Sequence, residues 1–134
     1  MALDDVEPAV WAALRRDGTI DLTTIGARSG QPRRIEIWFL HLDNRTFITG
    51  TSGLRGWYAN VLANPSVTFH LKESIRADLQ ATAVPVLDPD LREWVFTRPH
   101  RWNRWYLSVE PLESLVDTAP MVEITFSSPL ARTP

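Results

Sequence analysis

Apolar residues in this chain alternate with polar ones more often than they recur at three or four residues, so strands carry most of the expected architecture. The clearest case runs from 66 to 84. Val67, Phe69 and Leu71 alternate with Ser66, Thr68, His70 and Lys72, and after a break Ile75, Ala77, Leu79 and Ala81 alternate with Arg76, Asp78, Gln80 and Thr82. A period of two puts one set on a core and the other on a polar face, which predicts a hairpin with strands at 66–72 and 75–84. His70 falls on the polar face and is expected to be solvated rather than catalytic. A second hairpin is expected from strands at 20–26 and 34–42. Its second strand starts in alternation, Ile35 and Ile37 against Arg34 and Glu36, but from Trp38 to Leu40 both faces are apolar, a pattern that needs a helix, a cofactor ring or a second subunit as cover. Asp43-Asn44 signals a turn before a strand at 45–51 that ends at Gly50, and a sixth strand at 121–127 turns Val122, Ile124 and Phe126 inward.

Three stretches break to helical spacing. Residues 6–16 place Val10, Trp11 and Leu14 on one face, with Pro8 in the first turn and Gly18 as the stop, and are expected to lid one end of the sheet. A Gly-containing loop, Ser52 to Gly56, opens a helix whose apolar face is Trp57, Tyr58, Val61 and Leu62 and which Asn64-Pro65 terminates. Asp88-Pro89 reads as an N-cap with Pro at the first helical position, Leu91, Trp94 and Val95 form the buried stripe, and Pro99 ends the helix. The segment 100–106, with Trp102, Trp105 and Tyr106 among charges, fits a ligand-facing flap or a buried helix; the core-packing reading is preferred. The tail from Pro129 to Pro134 is expected to fray. Six strands and two or three helices predict a single α+β domain over 1–134, a small antiparallel barrel with helices outside, although other β-rich α+β folds fit the pattern equally.

Composition narrows the function more than the fold. A chain of 134 residues with 44% hydrophobic residues suits one globular domain, and no apolar run reaches the length of a membrane span. Asp4, Asp5 and Glu7 stand where a secretion signal needs basic and then apolar residues. The chain has no cysteine, which excludes disulfides, thiolate catalysis and Cys-ligated metals and fits a reducing cytoplasm. His41, His70 and His100 lack ligand spacing, so no metal site is expected. A net charge of −2 argues against a nucleic-acid module. Basic residues nevertheless cluster locally, and thirteen of the fourteen are Arg, the side chain suited to bidentate phosphate or carboxylate contacts. A small anionic ligand fits that distribution. No Ser/His/Asp order and no paired carboxylates stand out, so the chemistry is expected to come from a cofactor.

The anion-binding candidate is the basic turn 23–34, TTIGARSGQPRR, where Gly26, Gly30 and Pro32 break both periodicities and Arg28, Arg33 and Arg34 supply fixed charges beside the Ser29 hydroxyl. The start of the helix after Gly56 can also present N–H groups to an anion. This turn, the strand end Ile48-Thr49-Gly50-Thr51, and WYANVLANPSV at 57–67 together resemble the deazaflavin-dependent nitroreductase family of split β-barrel flavin-binding proteins, whose pattern reads approximately T-T-x-G-[RK]-x-S-G-x-x-R and then W-Y-x-N-L-x-A-N-P. The resemblance covers about residues 20–72; nothing in 86–120 contributes to it.

The resemblance implies a split barrel holding the deazaflavin coenzyme F-420, which delivers a hydride to a small electron-poor acceptor such as a quinone, an enone or a nitroaromatic. It matches Arg28 and Ser29 to the basic-Ser pair that meets the coenzyme's phosphate or polyglutamate tail, and Arg34 to the basic position after Gly-x-Pro, with Arg33 additional. Thr49, Gly50, Thr51 and Ser52 match the strand end and loop whose backbone amides approach the ring, and Trp57 opens the helix beside it. Two positions depart from the pattern: Ala27 replaces a basic residue, and the loop Ser52–Gly56 is shorter, so Arg55 replaces its phosphate contacts only in part. Tyr106 is the candidate donor to the reduced acceptor, within a wall made with Trp102 and Trp105. The alternatives are a flavin mononucleotide (FMN) protein of the pyridoxamine-phosphate-oxidase type and a non-catalytic carrier of a flavin, fatty acid or haem-breakdown product. A homodimer is compatible with either.

Overall fold

The computed structural model describes the backbone of residues 3–127 and the side chains of 8–127, so the expected tail at 129–134 lies outside the described residues. In chain order the elements are α1 (Leu3–Arg16), β1 (Thr19–Ile25), β2 (Pro32–Trp38), β3 (Leu40–Leu42), β4 (Arg45–Thr49), α2 (Gly56–Ala63), β5 (Ser66–Leu71), β6 (Ala77–Pro85), α3 (Pro89–Thr97), α4 (Arg101–Val109), α5 (Leu112–Thr118) and β7 (Met121–Phe126). The strands form one sheet in the order β2-β1-β5-β6-β7-β4-β3, antiparallel throughout. Its two edge strands, β2 and β3, are consecutive in sequence with only Phe39 between them. The sheet therefore curls until its edges meet through one continuous stretch, which makes it a split barrel.

The stretch 34–42 is thus two strands rather than one, and the sheet has seven strands rather than six. Phe39 leaves the ladder to donate its N–H to the Gly18 carbonyl (3.0 Å) and packs its ring edge-on against Phe69 (5.2 Å). Trp38 faces the other way and stacks on Trp102 of α4, with ring centroids 3.8 Å apart and planes 4° apart. Core on one side and a helix on the other explain why Trp38 to Leu40 is apolar on both faces.

Alternation along β4 and β7 divides two cores. Ile48, Val122 and Ile124 face the barrel interior with Ile20, Leu22, Phe69 and Leu79, closed by Val10, Trp11 and Leu14 of α1 and by Trp57 and Val61 of α2. Phe47 and Met121 face the opposite side with Leu40, Leu42, Val95, Phe96, Tyr106 and Leu115, under α3, α4 and α5. Five helices form where two or three were expected. The aromatic segment is the body of α4, capped by His100 Nδ1, which accepts from the Trp102 N–H. α5 carried no signal that the sequence reading used. It is tied down by the buried Arg92, which donates to the carbonyls of Val86, Leu115, Val116 and Ala119. Asp88 caps α3 by accepting from Asp90 N, as its position before Pro89 predicts.

His70 is not solvated. Its side chain is 9% exposed, with Nε2 2.7 Å from Thr23 Oγ1 and Nδ1 2.7 Å from Asp78 Oδ1. Its neighbours on β1 and β6 pair directly beside it and cover the ring, so the polar face of the sheet is itself packed here. The order Thr–His–Asp is that of a nucleophilic set, but Thr23 lies mid-ladder, paired on both sides by β2 and β5. Among the described residues no helix is long and apolar enough to cross a membrane.

Candidate functional site

The turn after β1 is closed by its own backbone: Gly26 donates to the Gln31 carbonyl (2.8 Å) and Gly30 to the Gly26 carbonyl (2.9 Å). Gly30 sits at φ +70°, a conformation that favours glycine. Ser29 Oγ accepts from Gln31 N (3.1 Å), so this hydroxyl shapes the turn. The three arginines then separate. Arg34 is paired with Asp21 (3.0 Å), and that pair together with Lys72 holds the Asp21 carboxyl below its usual range, the Lys72 hydrogen bond being the largest cause. Arg28 and Arg33 are exposed and have no hydrogen bond or ion pair among the described residues. Register settles which faces matter. Thr24 pairs with Arg33 and Thr23 with Arg34, and directly opposed residues share a face. Thr24 faces α2, so Arg33 does too, whereas Arg34 lies on the opposite face with Asp21, Glu36 and Trp38.

Asn60 fixes that face to α2. Its Oδ1 accepts from Ala27 N (2.9 Å) and its Nδ2 donates to Thr24 Oγ1 (3.0 Å), tying the turn to the helix one turn from its start. At 1.5 Å per residue, Gly56 lies about 6 Å along the axis from this anchor. The helix start is open: Arg55 is the N-cap without a side-chain cap hydrogen bond, and the first turn contains no acidic residue. Its free N–H groups and positive dipole end are able to accept an anion. Trp57 is buried in the barrel core and anchors the helix rather than presenting a ring.

The other end of the site is the loop from Gly50 to Arg55. Arg55 folds back to donate to Thr51 O (3.0 Å), Thr51 Oγ1 (2.7 Å) and Leu54 O (3.1 Å). Ser52 is turned inward, its N–H donating to Glu110 Oε1 (2.9 Å) and its hydroxyl to Glu110 Oε2, so the Ser52 amide is an anchor and does not face a ligand. The Ser114 and Ser52 hydroxyls and the Ser52 amide hold the Glu110 carboxyl below its ordinary range. At Gly50 an added Cβ meets only Arg55 Nε at 3.8 Å and Pro120 Cγ at 3.9 Å, ordinary contacts. The protein's own packing does not demand glycine there, which leaves the backbone accessible to something outside it.

Gly50, Thr49 and Thr51 line a cavity of about 280 Å³ whose opposite wall is Trp38, Trp105 and Tyr106. Trp38 meets Trp105 edge-on (5.4 Å, 87°) and Tyr106 at 5.9 Å. Tyr106 is both core and wall: it is 4% exposed, and its hydroxyl is 3.4 Å from the Thr49 carbonyl. Burial pushes its phenol up to about 12, so it holds its proton and acts as a hydrogen-bond donor. Trp105 is 46% exposed, whereas Trp102 is locked by its stack and by an N–H bond to Gly18 O (3.0 Å). A larger open groove of about 1380 Å³ runs on the far side of the loop, along Leu54, Tyr58 and Leu62. Leu62, expected on the buried face of α2, is 56% exposed on its rim.

The structure therefore leaves the Arg28 and Arg33 side chains without partners among the described residues, gathers Thr49, Gly50 and Thr51 on one cavity, and engages Ser29, Arg34, Ser52, Arg55 and Trp57 in internal contacts. Asn60 and Glu110 were missed. Asn60 stands inside the quoted W-Y-x-N motif, a usable signal; Glu110 is 58 residues from Ser52 and had none. Among the described residues no cluster of His, Asp or Glu could hold a metal ion.

The fold is shared with several solved structures. A Listeria innocua protein named for pyridoxamine 5'-phosphate oxidase superposes with a TM-score of 0.70 at 16% identity, covering 92% of this chain and 94% of its own. An F420 reductase gives 0.59 at 17%, covering 87% and 92%. The heme storage protein HutZ from Vibrio cholerae gives 0.59 at 16%, covering 92% and 91%. At these identities the likeness establishes the barrel alone. Residues 8–108, which hold the basic turn, Gly50, α2 and nearly all of α4, match one family model as a unit, and by that match the chain belongs to the F420H(2)-dependent quinone reductase family.

Proposed function

We propose that this protein transfers a hydride from the reduced deazaflavin coenzyme F-420 to a small electron-poor acceptor, with a quinone as the first choice. The carrying observation is the open start of α2, in a chain that also keeps two guanidinium groups unengaged and a glycine that the protein's packing does not require. Those residues fit an elongated anionic coenzyme: Arg28 and Arg33 with the α2 N–H groups hold its phosphate and acidic tail by charge-assisted hydrogen bonds, and Gly50 and Thr51 admit its planar ring to the backbone. When bound, the reduced coenzyme supplies the hydride, and the chain supplies proximity. Trp38, Trp105 and Tyr106 offer flat and edge-on aromatic surfaces to a planar acceptor and keep water from it. Tyr106, protonated at any working pH, keeps its hydroxyl hydrogen for a hydrogen bond from Oη toward the cavity or the Thr49 carbonyl.

The second reading is an FMN protein. It is supported by the fold likeness to the pyridoxamine 5'-phosphate oxidase relative and by the same anion site, which suits a single phosphate. Oxidation of reduced F-420 by menadione, followed by the coenzyme's visible absorbance, tests the first reading. Turnover that depends on added protein and falls in Arg28→Ala supports it; turnover only with reduced FMN favours the second.

A further inference from the structure

Glu110 belongs to neither the Gly50–Arg55 loop nor the aromatic wall, yet it links them. It follows α4 directly, four residues after Tyr106, so the two side chains lie on one face of the helix end. Tyr106 reaches the Thr49 carbonyl and Glu110 reaches Ser52, so α4 grips the strand end and the loop at two points one turn apart. The second grip is dense. Both oxygens of Glu110 are engaged by Ser52, Ser114 Oγ adds a bond to Oε2 (2.5 Å), and Thr118 Oγ1 lies 2.5 Å from Ser52 Oγ. Thr118 in turn donates to Ser114 O (2.9 Å), which fastens the cluster to α5. The same α4 carries Trp105 and Tyr106 across the small cavity from Gly50 and Thr51.

We infer that Glu110 is a positioning residue that sets the spacing between the Gly50–Arg55 loop and the aromatic wall of α4, and so the gap into which the planar coenzyme and acceptor enter. This deepens the proposed function and rests on it for the identity of the ligand. The clasp itself does not depend on a ligand. A carboxylate accepts all three donors at once, whereas an amide keeps the length but turns one acceptor into a donor.

Two measurements on the full chain test this. In apoprotein, hydrogen exchange of peptides spanning 50–55 should rise about tenfold or more in Glu110→Ala, with the β5–β6 ladder unchanged, and Glu110→Gln should recover most of that protection. With F-420, the dissociation constant of Glu110→Ala should rise about tenfold and turnover of menadione should fall, again partly recovered by Gln, while the thermal midpoint shows the variant folded. Unchanged loop exchange in a folded Ala variant overturns the clasp whether or not any coenzyme binds. Raised exchange with unaltered coenzyme affinity and turnover overturns the positioning role. Failure of the wild-type chain to bind F-420 contradicts the proposed function instead and leaves the exchange result to decide the clasp.

Discussion

Two glycine-bearing loops adjoin α2, one through Asn60 and one by leading into Gly56, and they are built in opposite ways. The turn 26–31 closes on its own backbone, and among the described residues the side chains of Arg28 in it and of Arg33 just after it have no partner. The loop 50–55 is lashed down from within by Arg55 and from outside by Glu110, and offers backbone rather than charge. Free guanidinium groups keep their five donors and fixed charge available to an incoming anion. A bound backbone loop costs rotamer and chain entropy in advance. The contrast assigns attraction to the turn and placement to the loop.

The sharpest way to break this division is Gly50→Val. It should weaken F-420 binding by about a hundredfold or more, on the scale of an overpacked contact, with the thermal midpoint near wild type because the site tolerates a Cβ. Isothermal titration and a melting curve read both. Arg28→Ala and Arg33→Ala should each cost about tenfold in affinity, an effect that shrinks as salt rises, whereas Arg34→Ala, already paired with Asp21, should cost less. Equal losses at Arg33 and Arg34 would erase the distinction of faces. Asn60→Ala joins the two regions: losing both hydrogen bonds should lower stability by about 1–2 kcal/mol and weaken coenzyme binding as the turn drifts from α2, measured by urea titration and binding on the same variant.

Tyr106→Phe should be milder still. Its 3.4 Å hydrogen bond is long, and a general acid would contribute at least about a hundredfold, so a fall in turnover below about tenfold marks Tyr106 as a positioned donor and wall. The smallest expected effect is in pH. Glu110 is held below its unfolded carboxyl value, so the unfolded state binds its proton first. The clasp's contribution is complete above the ordinary carboxylate range and is lost only as pH falls through the lowered value. Exchange at 50–55, corrected for the intrinsic rate, should stay flat down to that range and rise below it, while exchange at 26–31 shows no such step.

What was legible in the sequence follows from how far each signal reaches. The β5–β6 hairpin, β1, β4, β7 and the Asp88 cap are local patterns with a period or a spacing, and they formed in the expected places. The break at Phe39 is not local: it exists because β2 and β3 are opposite edges of one curled sheet, a fact that no window around 34–42 contains. His70 fails for a related reason, since alternation assigns a face but not whether that face is packed by Thr23 and Asp78. In the site, glycine and arginine positions were visible as residue types, but which arginine faces α2 depends on register. Ser52 as an anchor depends on Glu110, supplied by a helix end that carries no motif.

The account rests on which coenzyme the start of α2 accepts. Apoprotein titrated with F-420 and, separately, with FMN, at low and at raised salt, tests it most directly. The account predicts saturable F-420 binding that weakens with salt, with FMN binding at least about tenfold less tightly because it lacks the acidic tail that Arg28 and Arg33 would hold. FMN binding as tight as or tighter than F-420, or no F-420 binding at any salt, would contradict it.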